Sequence, residues 1–371
     1  MNTRQLTPAE LKKALAEKLR ELLERAPVVQ DLKILPNPGV SERAFDIQAT
    51  WPLPTGGRAE LWVDCHADPR PSQFPYTAFQ QGFDSIRKRA LIRVSVFAAP
   101  HISPRMAEIC WKHNWSWFDL AGNCRLCVPG ALYIERTGIA PVYRRPRVRA
   151  NLSTTEAGRI IRVLLAPENA GQRWTQRELM LHIGAKPLGV PVSLGLVNKV
   201  IRFLREEAFI EELPAGGVRL RDPLGLLAAW RAAYRFDRHH RRSYFTLLRG
   251  HQLQEKLVEL ESITGGHIAY AAFSAAEFQA PHVRQAKTWI YLAEEYEAEF
   301  AKLAEAKPVD SGENLVVLFP ADLGVFYGGE SAAGRLACTN PVQTYVDLCH
   351  AGSRGEEAAD ALLAQKLKPD W

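Results

Sequence analysis

Apolar residues first repeat at helical spacing, over residues 8–25, where Leu11, Leu15, Leu19, Leu22 and Leu23 fall on one side. The pattern then turns strand-like. Residues 44–51 and 58–66 read as strands, the second alternating around Leu61 and Val63. Residues 91–98 form a continuous apolar run of the buried kind. Helices are expected over 76–88 and 103–113, the latter with Ser103 as its cap and Pro104 in its first turn. Stretches 115–120, 125–128 and 132–135 complete the region as strands or turns. This order implies an α/β sandwich over residues 1–141.

Residues 153–221 carry a different signature. Ser153-Thr-Thr-Glu156 and Thr175-Gln-Arg-Glu178 each read as a capping box at a helix start. The first helix places Ile160, Ile161, Val163, Leu164 and Leu165 on an apolar stripe. The second is short, with Leu179, Met180 and Ile183 inward and Gly184 placed to end it. A turn with Pro187, Gly189 and Pro191 leads to a third helix over 193–207. There Val197, Val200, Ile201 and Leu204 pack down, and Ser193, Gly195, Asn198, Lys199 and Arg202 face outward. Stretch 209–213, Pro-Ala-Gly-Gly and 218–220 then read as strand, turn, strand. Three helices followed by a hairpin predict a winged helix-turn-helix with the third helix as the reader.

Beyond residue 222 the pattern predicts an α+β domain. Leu315-Val-Val-Leu-Phe319 is a buried strand, and Tyr345, Leu348 and a helix over 356–367 supply an apolar end to dock. Glu294, Glu295, Glu297 and Glu299 make an acidic helical face. Glu356 and Glu357 fall in a first helical turn, where the helix dipole favours carboxylates. His239 and His240, inside Arg238-His-His-Arg-Arg242, are expected on a solvated basic helix face. The whole is an α/β multidomain chain. Its expected parts are residues 1–141, a winged helix-turn-helix with a basic arm over 142–221, and an α+β domain over 222–371.

Charge separates these parts. The chain carries a formal +6, but residues 142–221 hold +7, residues 1–141 hold +4, and residues 222–371 hold −5. A basic module between a weakly basic and an acidic one is the footprint of a nucleic-acid reader, and argues against a merely packed module. The expected partner is double-stranded DNA. Asn198 is expected to read a base, with Ser193, Lys199 and Arg202 on bases or phosphates. Arg219 on the wing and Arg144, Arg145 and Arg147 on the arm would meet backbone or minor groove. A single winged helix reads a short half-site, so a homodimer or a cooperative pair on an inverted repeat is expected. The Trp111, Trp115 and Trp117 cluster is the first candidate for the dimer surface.

Other chemistries find little support. No apolar run reaches the roughly 18 residues of a membrane helix, and the start of the chain reads as an amphipathic helix and not a signal peptide. The six scattered cysteines suit a reduced, cytoplasmic protein. Cys124-Arg-Leu-Cys127 is a lone pair on a strand, where zinc would need two more ligands. No phosphate-binding loop, dinucleotide fingerprint or nucleophile elbow occurs, and no cofactor is expected.

Two resemblances extend this reading. The N-terminal region, with Asp46 on one strand and Asp64-Cys-His66 on the next, resembles the restriction-endonuclease-like fold. That likeness implies carboxylates for Mg²⁺ at Asp46 and Asp64 and a Lys at the position His66 occupies. A neutral imidazole lacks the fixed charge of that Lys, so a vestigial site and no enzyme are expected; a Mg²⁺-dependent nuclease is the alternative. The chain as a whole resembles the AbiEi-type antitoxin family of transcriptional regulators, linked to type IV toxin–antitoxin systems. The strings that carry this are Trp117-Phe-Asp-Leu-Ala-Gly-Asn123, Val192-Ser-Leu-Gly-Leu-Val-Asn-Lys-Val200, Asp222-Pro-Leu-Gly-Leu-Leu-Ala-Ala-Trp230, Asn340-Pro-Val-Gln-Thr-Tyr-Val-Asp-Leu348 and Arg354-Gly-Glu-Glu-Ala-Ala359. The resemblance implies a repressor of its own promoter and a nucleotidyltransferase-like toxin as protein partner. A toxin-neutralising antitoxin acting by protein binding is the further alternative.

Overall fold

The computed structural model describes residues 6–36, 45–54, 56–74, 91–142, 150–185, 190–352 and 354–371. The chain divides into two compact units, Met1–Val148 and Arg149–Trp371.

In the first unit, helix α1 (Pro8–Glu24) opens with a complete capping box. Thr7 accepts from the Glu10 amide and the Glu10 carboxylate accepts from the Thr7 amide. Its five leucines are all buried. They lie on a seven-stranded sheet of β1 (Lys33–Pro36), β2 (Ile47–Pro52), β3 (Arg58–Cys65), β4 (Leu91–Ala99), β5 (Ser116–Asp119), β6 (Cys124–Val128) and β7 (Leu132–Arg136), paired in chain order. β3–β4 and β4–β5 are parallel and the other pairs antiparallel. Parallel neighbours need crossovers. The β4–β5 crossover contains α2 (Pro104–Lys112), capped by Ser103; the helix expected at 76–88, between β3 and β4, lies outside the described residues. The exposed edge strand β1 has no apolar alternation and was not anticipated from the sequence.

β4 serves both faces of this sheet. Val94, Val96 and Ala98 join the α1 core, while Phe97 and Ala99 join a second core with Met106, Ile109, Trp115 and Trp117. This corrects the proposed dimer surface. Trp115 and Trp117 are each 5% exposed and belong to the core, and only Trp111 reaches solvent, with the Arg125 guanidinium over its ring. The two cysteines of the Cys-x-x-Cys string alternate, Cys124 buried and Cys127 half-buried, as residues three apart on a strand must.

The second unit begins with α3 (Thr155–Leu165), α4 (Gln176–Gly184), α5 (Leu194–Glu206) and the antiparallel hairpin β8 (Ile210–Glu212) and β9 (Val218–Leu220). It continues through α6 (Pro223–Ala233), β10 (His240–Phe245), α7 (Gly250–Thr264), β11 (Ile268–Tyr270), α8 (Ala272–Gln279), β12 (Thr288–Leu292), α9 (Glu297–Leu303), β13 (Lys307–Pro308), β14 (Leu315–Phe319), β15 (Glu330–Ala332), β16 (Arg335–Cys338), α10 (Pro341–Leu348) and α11 (Gly355–Leu362). The strands from β10 onward form a mixed sheet of order β13-β10-β14-β12-β11-β16-β15. α7 and α9 cover one face through Leu253, Leu257, Leu260 and Phe300. The opposite face, with Trp289, Tyr291, Val316 and Leu318, packs on α8, α10 and α11, in a core that runs without a break into α3, α5 and α6.

Three local expectations need correction. α3 is capped by Thr154, whose hydroxyl accepts from the Ala157 amide, and not by Ser153. Glu156 bonds the Thr155 hydroxyl, so the first expected capping box does not form. Three adjacent hydroxyls compete for one cap, and spacing alone cannot choose among them. Gly184 closes α4 without a left-handed turn, since the next residue, Ala185, is extended. His239 and His240 are not on a helix; they lead into and begin β10.

Candidate nucleic-acid interface

α5 is the element with the outward polar face. Ser193 caps it, its hydroxyl accepting from the Leu196 amide. Val197, Val200, Ile201 and Leu204 are buried at helical spacing, and Ser193, Leu194, Gly195, Asn198, Lys199 and Arg202 are exposed. A Cβ on Gly195 would meet nothing within 4 Å, so close approach to that turn is open. α4 packs against α5 through Leu179 and Ile183, with the Thr175–Glu178 capping box formed at its start. The Asn198 amide donates to Gln176 Oε1 at 3.1 Å, which holds its side chain before any ligand arrives.

The hairpin is anchored at its turn end. Trp174 pairs with Val218 through both backbone bonds, at 2.9 and 2.8 Å, and Arg173 donates to the Ala215 and Gly216 carbonyls of the turn. Gly216 and Gly217 sit at φ of 80° and 83°, and a Cβ on Gly217 would press to 2.8 Å from the Trp174 carbonyl. Glycine is therefore required there. Arg173, Gln176 and exposed Arg177 went unnoticed in the sequence. Only the packing of the α4 start beside α5 and the hairpin gives them a role.

The cations of this face differ in their commitments. Arg202 pairs with Glu206 at 3.2 Å, Arg219 with Glu211, and Arg205 with Glu212. Lys199 has no carboxylate partner among the described residues. Exposed pairs of this kind contribute about 0–1 kcal/mol, so exchanging a glutamate for a phosphate costs little. Arg144, Arg145 and Arg147 of the basic arm lie outside the described residues.

Asp46, Asp64 and His66 divide into two separate arrangements. Asp46 Oδ1 takes the Lys12 ammonium of α1 at 2.6 Å and its Oδ2 accepts from the Cys65 amide at 2.8 Å. Asp64 Oδ2 instead lies 2.9 Å from His66 Nε2 without hydrogen-bond geometry, and the His66 ring stacks on Phe97. Among the described residues no group of three or more His, Cys, Asp or Glu side chains could hold a metal ion. Lys12 from α1 is the cation beside Asp46, a partner that the strand spacing did not suggest. Asp119 and Asn123 serve a turn: Asp119 accepts from the Gly122 and Asn123 amides, and Asn123 bridges to Ile139.

A buried polar network ties α3 to the C-terminal sheet. Arg159 reaches Asp322 Oδ1 at 2.8 and 2.6 Å, and Arg162 donates to Gln343 Oε1 at 2.6 Å. Gln343, Tyr234 and Tyr291 all donate to Asp347 Oδ1 at 2.8–3.0 Å. His239 joins at the Tyr234 hydroxyl, 2.8 Å away. Burial pushes the Asp347 carboxyl up to about 7, against those three hydrogen bonds and the charge of Arg162. Burial likewise drives His239 down to about 4, with Arg162 adding to the effect.

These shifts act on stability with opposite signs. Unfolded Asp and His titrate at about 3.9 and about 6.5 respectively. The folded chain keeps the Asp347 proton up to about 7, so the contribution of this group is full at low pH and is lost as pH rises towards 7. The folded chain releases the His239 proton above about 4, so its contribution grows as pH rises from there to about 6.5. The slopes offset each other over most of that range. Asp347→Asn is expected to uncover the histidine's rise, and the variant's melting temperature should climb relative to the parent's between about pH 4 and 6.5. Parallel profiles for the two proteins would refute this.

Residues 219–368 match the family model described as "Transcriptional regulator, AbiEi antitoxin, Type IV TA system". Over this region the chain is similar to the AbiEi antitoxin family. No curated protein and no solved structure matches the chain. The AbiEi match begins within β9, so α3, α4 and α5 precede it and their reading rests on their own geometry. It takes in Asp322, Gln343 and Asp347, the C-terminal half of the buried network. Among the described residues no helix is long and apolar enough to cross a membrane.

Proposed function

We propose that the chain is a sequence-specific, double-stranded-DNA-binding regulator of the antitoxin type. α3, α4, α5 and the β8–β9 hairpin act as a winged helix-turn-helix in the second unit. The observation that carries this is α5: one face is fully engaged in the core, and the other presents Ser193, Gly195, Asn198, Lys199 and Arg202 to solvent. That donor set suits base edges and phosphates in a major groove. Its position after two packed helices and before a hairpin is the arrangement in which a third helix enters the groove. Two copies on an inverted repeat would supply the length of site that one helix cannot.

The test is binding of the full chain to the region upstream of its own gene, followed by fluorescence anisotropy at several salt concentrations. Affinity should fall steeply with salt. Asn198→Ala should cost about 1–3 kcal/mol on the preferred site and much less on unrelated duplex. Binding that ignores salt, or an Asn198 variant with unchanged preference, would sink the proposal.

We do not propose a nuclease. Asp46 is held by Lys12 and the Cys65 amide, while Asp64 Oδ2 lies 2.9 Å from His66 Nε2, so the two carboxylates face different neighbours. Supercoiled plasmid incubated with the protein and Mg²⁺ or Mn²⁺ is expected to stay intact. Cleavage that disappears on Asp64→Asn would reverse this reading. The family description supports a toxin as the protein partner, and co-purification with the product of the adjacent gene tests that partner directly.

A further inference from the structure

Where α3 meets the C-terminal part of the second unit there is a pocket whose lining includes Ser153, Gly158, Arg162, Arg238 and Asp322. Its interior holds an unusual pair of atoms. Arg162 is only 3% exposed, and its Nε is taken by Gln343, but its Nη1 has no hydrogen-bond partner. Asp322 Oδ2, also buried, has none either. The two atoms stand 3.6 Å apart, close enough to attract and too far to bond. A buried donor and a buried acceptor left open side by side cost free energy unless something bonds both.

The geometry around them favours an anion. Nη1 borders the pocket at Gly158, where a Cβ would lie 3.3 Å from it and 3.7 Å from the Trp230 ring. The absence of a side chain at this position keeps the space open. The pocket also meets the N-terminus of α3, an eleven-residue helix. Thr154 caps the Ala157 amide there, while the Thr155 and Glu156 amides, at the first two helical positions, have no acceptor within the helix. Two exposed guanidinium groups stand at the mouth: Arg235, which forks onto Asp237, and Arg238, whose Nη1 donates to the Ser153 carbonyl. The Asp322 charge is offset through its other oxygen by Arg159.

We propose that this pocket binds a phosphoryl group, held between the start of α3 and the buried guanidinium of Arg162. Asp322 Oδ2 adds a further criterion, because it needs a donor. A protonated phosphate oxygen supplies one, whereas sulfate and carboxylate at neutral pH only accept. The inference stands apart from the DNA-binding proposal: a nucleic-acid phosphodiester keeps no proton at neutral pH and cannot donate to Asp322, so the ligand is inorganic phosphate or a small phosphate monoester in its protonated form.

The probe is inorganic phosphate, titrated calorimetrically into the full chain, with sulfate at equal ionic strength as the comparison. Saturable binding at one site is expected, with sulfate weaker by about tenfold for the lost bond to the Asp322 carboxylate. Arg238→Gln, on an exposed residue that also donates to the Ser153 carbonyl, should weaken phosphate about tenfold while the phosphate-free protein still unfolds cooperatively. Arg162→Gln should remove binding. Should that buried variant fail to fold, Arg238→Gln decides alone. Arg284→Gln, away from the pocket lining, should bind as the parent does. Repeating the titration on the DNA-bound protein should leave phosphate binding in place; occlusion by DNA would assign the site to the backbone and overturn the requirement for a protonated phosphate oxygen. Absence of saturable binding, or equal affinity in Arg238→Gln and the parent, overturns the proposal.

Discussion

Asp322→Ala is expected to lower the unfolding free energy of the second unit by about 3–5 kcal/mol, the usual cost of breaking a buried ion pair from one side. The Asp322 side chain is 3% exposed, and it faces Arg159 and Arg162 with 17% and 4% of their side chains exposed. Removing it leaves two guanidinium groups in a desolvated place without their counter-charge. A fully apolar substitute at all three positions would cost far less, because the penalty lies in the stranded charge and not in the lost attraction. The Arg231–Glu356 pair provides the contrast. Its side chains are 36% and 72% exposed, and Glu356→Ala should change stability by no more than about 1 kcal/mol. Urea unfolding of both variants, followed by a probe in the second unit, measures the difference. Similar small losses for the two would show that water reaches Asp322.

Asp322 also fixes where α3 sits, because α3 and the C-terminal sheet are joined by this network as well as by a shared apolar core. α5 packs on α3 through that same core. The region that matches the AbiEi family model and the proposed reading helix therefore share one folded unit. A partner that distorts the region around Asp322 would strain the helix set directly. This gives a physical route by which protein binding and DNA binding can affect one another.

Local features of the fold could be read from the sequence, and long-range ones could not. α4 and α5 follow from caps and period: Thr175 with Glu178 fixes one start, Ser193 the other, and the buried residues of each recur every three or four positions. The hairpin follows from two glycines between short apolar runs. Arg162 was illegible, since it occurs amid Ile160, Ile161, Val163 and Leu164 and its partners come from the other end of the unit. A lone Arg within an apolar stripe was a usable signal that a buried acceptor awaited it. His239 was misread for a similar reason. Its basic neighbours suggested solvent, but Tyr234, Tyr291 and the Ala321 amide enclose it. The strand order of the second sheet, in which β14 lies between β10 and β12, depends on crossovers with no local trace.

Lys199→Glu is expected to produce the largest loss of DNA binding from a single change on α5. Arg202 and Arg219 already hold carboxylates, so their charges are partly spent before DNA arrives. Lys199 is exposed and without such a partner among the described residues, so its whole charge is available to a phosphate. Reversal removes that attraction and sets a carboxylate against the backbone. Like charges brought together at an interface cost several kcal/mol, or a loss of about 100-fold or more in affinity. The loss should be nearly the same on every sequence, because a phosphate contact carries no base information. The neutral variant Lys199→Gln should bind more weakly than the parent and reduce the slope of log affinity against log salt by about 1. Glu206→Gln works in the opposite direction: it frees Arg202 and should tighten non-specific binding modestly. Anisotropy titrations on preferred and unrelated duplexes, at several salt concentrations, distinguish these outcomes. Full affinity in Lys199→Glu would show that α5 does not face the DNA.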